Sequence, residues 1–211
     1  MAIPLLPEGR ASLRAWSYNL GPAWYYDPAY RRIAGSLDIT RGALLDVGCG
    51  PGWVCIHAAA GNPELDCVGI DQSATMISIA ERNRAHRLNI TFKQMRAEEI
   101  IYPDDTFDRV VAVQTMHHWQ DPDAILQELK RVTRPGGVIS LWDADPSLDV
   151  PRDWIRRRGL WPPDAWVKRS WRKWSLGDEG FREMTRRVEG LGLSQVTTDT
   201  LGFYRRVVAT K

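Results

Sequence analysis

The sequence predicts an α/β fold, a doubly wound and mostly parallel sheet that ends in an antiparallel hairpin strand. Three observations carry that prediction. Short apolar runs alternate with longer stretches whose apolar residues recur every three to four positions, as strands joined by crossover helices require. The first clear run breaks into glycines on alternate positions, Gly48, Gly50 and Gly52, and a helical pattern follows at once. The last two runs are separated only by a short turn around Leu201-Gly202. That gap cannot hold a crossover helix, so the two runs pair as a hairpin at one edge.

Taken in order, the N-terminal segment 11–37 has mixed helical character. Strands are predicted at 43–47, 67–70, 90–95, 109–113, 137–142, 194–198 and 203–209, and helices at 53–60, 74–87, 124–132 and 179–191. A chain of 211 residues fits one domain with a full core. Its expected divisions are an N-terminal helical cap (1–41), a cofactor-binding core (42–143), an insertion (144–178) and a last helix with the terminal hairpin (179–211).

Composition narrows the function classes. With 28 basic and 26 acidic residues the formal charge is +2, so no global field calls for nucleic acid or an acidic membrane. Three cysteines, Cys49, Cys55 and Cys67, match no zinc spacing and read as buried thiols in a reducing compartment. No metal site is expected. The apolar stretch at 3–7 is too short and too proline-rich for a signal peptide, and no run approaches about 18 apolar residues. A soluble, cytoplasmic protein is expected.

The glycine loop carries the chemistry. Glycines at 48, 50 and 52 let a ligand approach backbone and permit a positive φ in the turn. Asp71 ends the next apolar run, about 20 residues on, where a carboxylate accepts both ribose hydroxyls of a nucleoside. The plainer alternative is an ordinary strand-to-helix turn, with Asp71 capping the helix that begins near Ser73. The glycines fall as G-x-G-x-G, Trp53 occupies the place of the third glycine in a dinucleotide fingerprint, and no P-loop lysine follows. Phosphate is therefore the weaker ligand.

At this point the chain resembles the class I S-adenosylmethionine-dependent methyltransferases, in particular the small-molecule branch related to the ubiquinone and menaquinone methyltransferases. Five segments carry the resemblance in order: 44–52, 69–76, 97–108, 110–122 with its His-His-Trp-Gln-Asp-Pro, and 129–142 with its Arg-Pro-Gly-Gly. It implies a Rossmann-like, seven-stranded sheet and S-adenosylmethionine as cofactor, leaving as S-adenosylhomocysteine. Gly48, Cys49 and Gly50 would approach the methionyl part, Asp71 would hold the ribose, and Met76 would pack near adenine. Ala97 would donate its N–H to the ring and Glu98 would serve the exocyclic amine, because Arg96 stands where an acceptor is common and has none to offer. Arg96 facing solvent is the simpler alternative. Gln114 would take the ammonium, and Asp46 and Gln72, inside the matched segments, complete the binding set. His118 is the preferred general base and Asp143 the second candidate, with capping or space filling as the plain alternative for the histidines.

One stretch departs in composition. Residues 152–173 hold eight basic side chains against two acidic ones, and with Trp174 they carry five of the ten tryptophans: Trp154, Trp161, Trp166, Trp171 and Trp174. A helix beginning at Pro162-Pro163-Asp164 would place Val167, Trp171 and Trp174 on one face. This reads as a lid over the carboxyl edge of the sheet, where acceptor choice would be made. The expected function is methyl transfer to an O, N or C nucleophile of a small organic molecule. The alternatives are an RNA methyltransferase using the basic insertion, a non-catalytic cofactor-binding module, and an oxidoreductase using a dinucleotide.

Overall fold

The computed structural model describes residues 19, 23, 25–155, 168, 169, 172 and 174–211. Seven strands form its sheet: β1 (Gly42–Val47), β2 (Leu65–Asp71), β3 (Ile90–Gln94), β4 (Phe107–Val113), β5 (Thr133–Ala144), β6 (Ser194–Leu201) and β7 (Tyr204–Thr210). Around it lie α1 (Asp27–Ser36), α2 (Trp53–Ala59), α3 (Ala74–Arg84), α4 (Pro122–Val132) and α5 (Gly177–Glu189). The strand order is β3-β2-β1-β4-β5-β7-β6, with β7 alone running antiparallel to its neighbours. The chain moves outward from β1 to one edge and then returns to β4, so β1 and β4 flank the switch point where open α/β sheets bind ligands.

The helix starts follow from local chemistry. Ser73 caps α3 by accepting from the Met76 N–H, and Asp121 caps α4 by accepting from the Ala124 N–H, with Pro122 in the first turn. Along α4 the buried residues Ile125, Leu126, Leu129 and Val132 form one stripe against the sheet. Phe181, Met184 and Val188 do the same on α5.

Alternation along the strands divides the core into two layers. Leu44 faces the layer of α1 and α2, whereas Leu45 and Val47 face that of α4 and α5. Asp46, two residues after Leu44, therefore points toward the α2 side. That parity decides its role below.

All seven predicted strands and all four predicted helices are present. The strand expected at 137–142 begins earlier, at Thr133. There Gly136 and Gly137 exchange backbone bonds with Lys211 at 2.8 and 3.0 Å, and a register irregularity between Phe107 and Arg109 absorbs the turn-like sequence. Trp161, Trp166, Trp171 and the helix start expected at Pro162 lie outside the described residues. Trp154, counted with the lid, is buried core instead: its ring meets Phe203 at 5.8 Å, and the Arg32 guanidinium sits 5.3 Å above it.

Candidate active site

The loop after β1 is tied to the end of β2. The N–H groups of Gly48 and Cys49 both donate to the Ile70 carbonyl, at 2.8 and 2.9 Å. The Gly50 N–H donates to Asp71 Oδ2 at 3.0 Å, and the Ser73 N–H donates to Asp71 Oδ1 at 2.9 Å. Asp71 thus braces the loop and the start of α3 together, while Ser73 is the helix cap itself.

The glycines do different work. Gly48 has φ +70°, and a Cβ there would run into the Thr115 hydroxyl, so strand packing forbids a side chain. Gly50 has φ +51°, yet a Cβ there would meet no atom within 4 Å. Among the described residues the loop therefore fronts open space at Gly50. Room at that point, beside a carboxylate whose remaining lone pairs are unused by backbone, fits an adenosyl ligand.

One cleft brings together Gly48, Asp71, Gln72, Ala97, Glu98 and His118 from the ends of β1, β2, β3 and β4. Thr115, Met95 and Trp119 also line it. Thr115 and Trp119 belong to the stretch 114–119, which the sequence puts beside the cofactor and the substrate, whereas Met95 is a residue that sequence reasoning missed. Met76 sits on the first turn of α3 and is not among the lining residues. Arg96 is 61% exposed and pairs with Glu98 at 3.4 Å.

Asp46 lies beneath the loop, 1% exposed, with the Cys55 thiol donating to its Oδ2 at 3.8 Å. Burial, and then the charge of Asp71, push its pKa up to about 7, against a smaller downward pull from the thiol. Burial also raises Asp71, opposed by the amides of Ser73 and Gly50. The thiols are buried and free, and burial pushes Cys67 up to about 12, so none is a thiolate near neutral pH.

Asp143 is fully buried rather than facing the cleft. Its Oδ1 accepts from Gln114 Nε2 at 3.2 Å, and its Oδ2 accepts from the Leu176 N–H at 2.9 Å and lies 3.5 Å from Arg205 Nη2. Arg205 also reaches Asp178 at 2.8 Å and stacks over Phe181 at 4.5 Å. Gln114 holds φ +53°, its N–H anchored to the Trp142 carbonyl at 2.9 Å. The candidate base is thus a carboxylate whose two oxygens are already occupied.

After β4 a short 3-10 turn, Met116–His118, buries Met116 and presents the two histidines. Their rings lie 4.0 Å apart, and Trp174, from the end of the insertion, sits 6.1 Å from each. Burial and the neighbouring His118 push His117 down to about 4, so it is neutral at physiological pH.

The fold is a switched α/β sheet with a cleft at its carboxyl edge, and comparison with known proteins gives the class. The family described as "Methyltransferase domain" matches residues 45–141. The chain is 31% identical over 193 residues to 27-O-demethylrifamycin SV methyltransferase of Amycolatopsis mediterranei, covering 72% of this chain and 68% of that one. It is 32% identical over 127 residues to fatty-acid O-methyltransferase of Mycolicibacterium smegmatis, covering 60% and 46%. A crystal structure of an S-adenosylmethionine-dependent methyltransferase from Aquifex aeolicus superposes with TM-score 0.67 at 20% identity, covering 94% of this chain and 97% of that one. The chain belongs to the class I S-adenosylmethionine-dependent methyltransferases. The matched stretches span 40 to 68% of the first three curated relatives' own lengths. No helix among the described residues is long and apolar enough to cross a membrane.

Proposed function

We propose that this methyltransferase acts on a small organic molecule, moving the methyl of S-adenosylmethionine to an oxygen, nitrogen or carbon nucleophile. Oxygen comes first among these. One observation carries the reading: a single cleft joins Asp71, a half-buried carboxylate braced by two backbone amides, to the exposed imidazole of His118. The two matched relatives add support, since one is named for an O-demethylated rifamycin and the other for a fatty acid methylated on oxygen.

In this reading Asp71 accepts from the ribose hydroxyls, and Ala97 and Glu98 face the adenine. When bound, S-adenosylmethionine supplies a methyl group activated by its sulfonium sulfur. Gln114 gives its N–H to Asp143 and keeps its carbonyl oxygen for the ammonium. Asp143 is then a positioning residue, not a base. Asp46 lies beneath the methionyl end, where an approaching ammonium would favour its charged form. His118 takes the proton from an attacking hydroxyl or amine, worth about 10² to 10⁴ in rate. Alignment of the reacting groups contributes more, up to roughly 7–11 kcal/mol. In this reading residues 42–143 are the cofactor-binding core.

Isotopically labelled S-adenosylmethionine incubated with a metabolite extract tests this, with mass spectrometry of the products. Label in a small molecule is expected, and His118→Ala should lower its formation without loss of cofactor affinity. Label found only in added RNA would favour the basic insertion as an RNA surface. Cofactor binding with no transfer to any acceptor would make the chain a binding module.

A further inference from the structure

Beside the cleft lies a second cavity of about 290 Å³, lined by Gln72, Gln94, Met95, Arg96, Glu99 and Ile101. Gln72 and Met95 line both spaces. The two cavities are therefore neighbours across one shared wall, built from the segments after β2 and β3. Nothing in the reaction proposed above uses the outer one.

It is an open groove rather than an enclosed pocket, with Met95 half-buried at its base and the other five side chains exposed around it. Met95 and Ile101 are the apolar members, joined by an Ile101 N–H donating to Met95 Sδ at 3.3 Å. Ile101 is 78% exposed, one of three exposed large hydrophobics among the described residues. On the rim, Gln94 Nε2 donates to the Gln72 carbonyl at 3.1 Å, and the Glu99 N–H donates to the Arg96 carbonyl at 3.3 Å. An enclosed cavity of about 150 Å³ holds a benzene ring, so this larger groove has room for an aryl group with one side left open to solvent. Methionine is the side chain best able to shift in a wall between two ligand groups.

Arg96 adds a chemical argument. It stands immediately before Ala97 and Glu98, and its guanidinium offers only donors, paired with Glu98 at 3.4 Å. With Glu98 accepting one hydrogen of a bound adenine amine, position 96 offers no acceptor to require the other. We infer that the adenine subsite is open-ended: this cavity admits an aryl-methyl substituent on the exocyclic amine, so the protein binds N6-substituted adenosyl cofactors as well as the unsubstituted one. The inference rests on the cofactor placement proposed above.

Calorimetric titration with S-adenosylhomocysteine and with its N6-benzyl derivative tests it, on the parent protein and on Ile101→Asp. The benzyl derivative is expected to bind within tenfold of S-adenosylhomocysteine. Ile101→Asp should weaken the benzyl derivative at least fivefold while leaving S-adenosylhomocysteine within twofold, because only the substituent touches that wall. A benzyl derivative more than tenfold weaker on the parent protein overturns the inference and leaves the cofactor placement standing. Equal effects of Ile101→Asp on the two compounds overturn it as well. Failure of S-adenosylhomocysteine itself to bind removes the cofactor placement, and the inference with it.

Discussion

Replacing Asp46 by asparagine should make the protein more stable, and increasingly so as the pH rises. Asp46 is 1% exposed, with a thiol and, among the described residues, no cation as partner, and its pKa rises from 3.8 to about 7. Because the folded value lies above the unfolded one, the native state holds the proton longer. Stability from this group is full below the unfolded pKa and is lost as the pH climbs through about 7. A difference of about 3 pH units at 1.36 kcal/mol each corresponds to a cost of about 4 kcal/mol once the carboxylate is charged. Asparagine keeps the shape and an acceptor for the Cys55 thiol but never carries the charge. Its advantage over aspartate should therefore grow by about 2–3 kcal/mol between pH 5 and pH 8. His117, Asp71 and Asp143 also titrate abnormally, so the difference between variant and parent is the quantity to follow. Urea unfolding without ligand at the two pH values measures it. An advantage that stays constant or shrinks with pH would refute the buried-charge account. The same variant should bind S-adenosylmethionine more weakly, which would explain why a destabilising carboxylate sits there.

Three further outcomes are expected. Asp71→Ala should weaken S-adenosylmethionine by about 1.5–3 kcal/mol through loss of charge-assisted hydrogen bonds, and an unchanged calorimetric Kd in folded protein would remove Asp71 from the site. Gly48→Ala should lower the unfolding midpoint sharply because its Cβ meets Thr115, whereas Gly50→Val should fold with only backbone strain and lose the cofactor; normal binding by Gly50→Val would make the loop a mere turn. Trp174→Ala should reduce turnover far more than cofactor affinity, since Trp174 packs on the two histidines; equal losses in both would place it in the cofactor site instead.

Most of the architecture was legible because periodicity and the glycine loop are local signals. The strand around Asp46 carried even its outcome: alternation after Leu44 turns that carboxylate toward α2 and under the loop. Asp143 was less readable. Its partner Arg205 arrives on β7 and its amide donor Leu176 stands at the far end of the insertion, so only folding reveals that both oxygens are taken. Thr115 and Met95 meet at the cleft from different strand ends, a juxtaposition no short window contains. Trp154 shared its composition with the insertion but packs under the hairpin turn, where a side chain on Gly202 would strike its indole.

The two ends of the insertion are fastened at the same corner of the sheet. Asp145 donates its N–H to the Phe203 carbonyl at 2.9 Å just after β5, and Leu176 donates to Asp143 just before α5. Both fastenings are made by residues of the sheet edge and the start of the last helix, not by the stretch between them. A designer could therefore graft a foreign segment between the same two anchors and test whether the frame still folds.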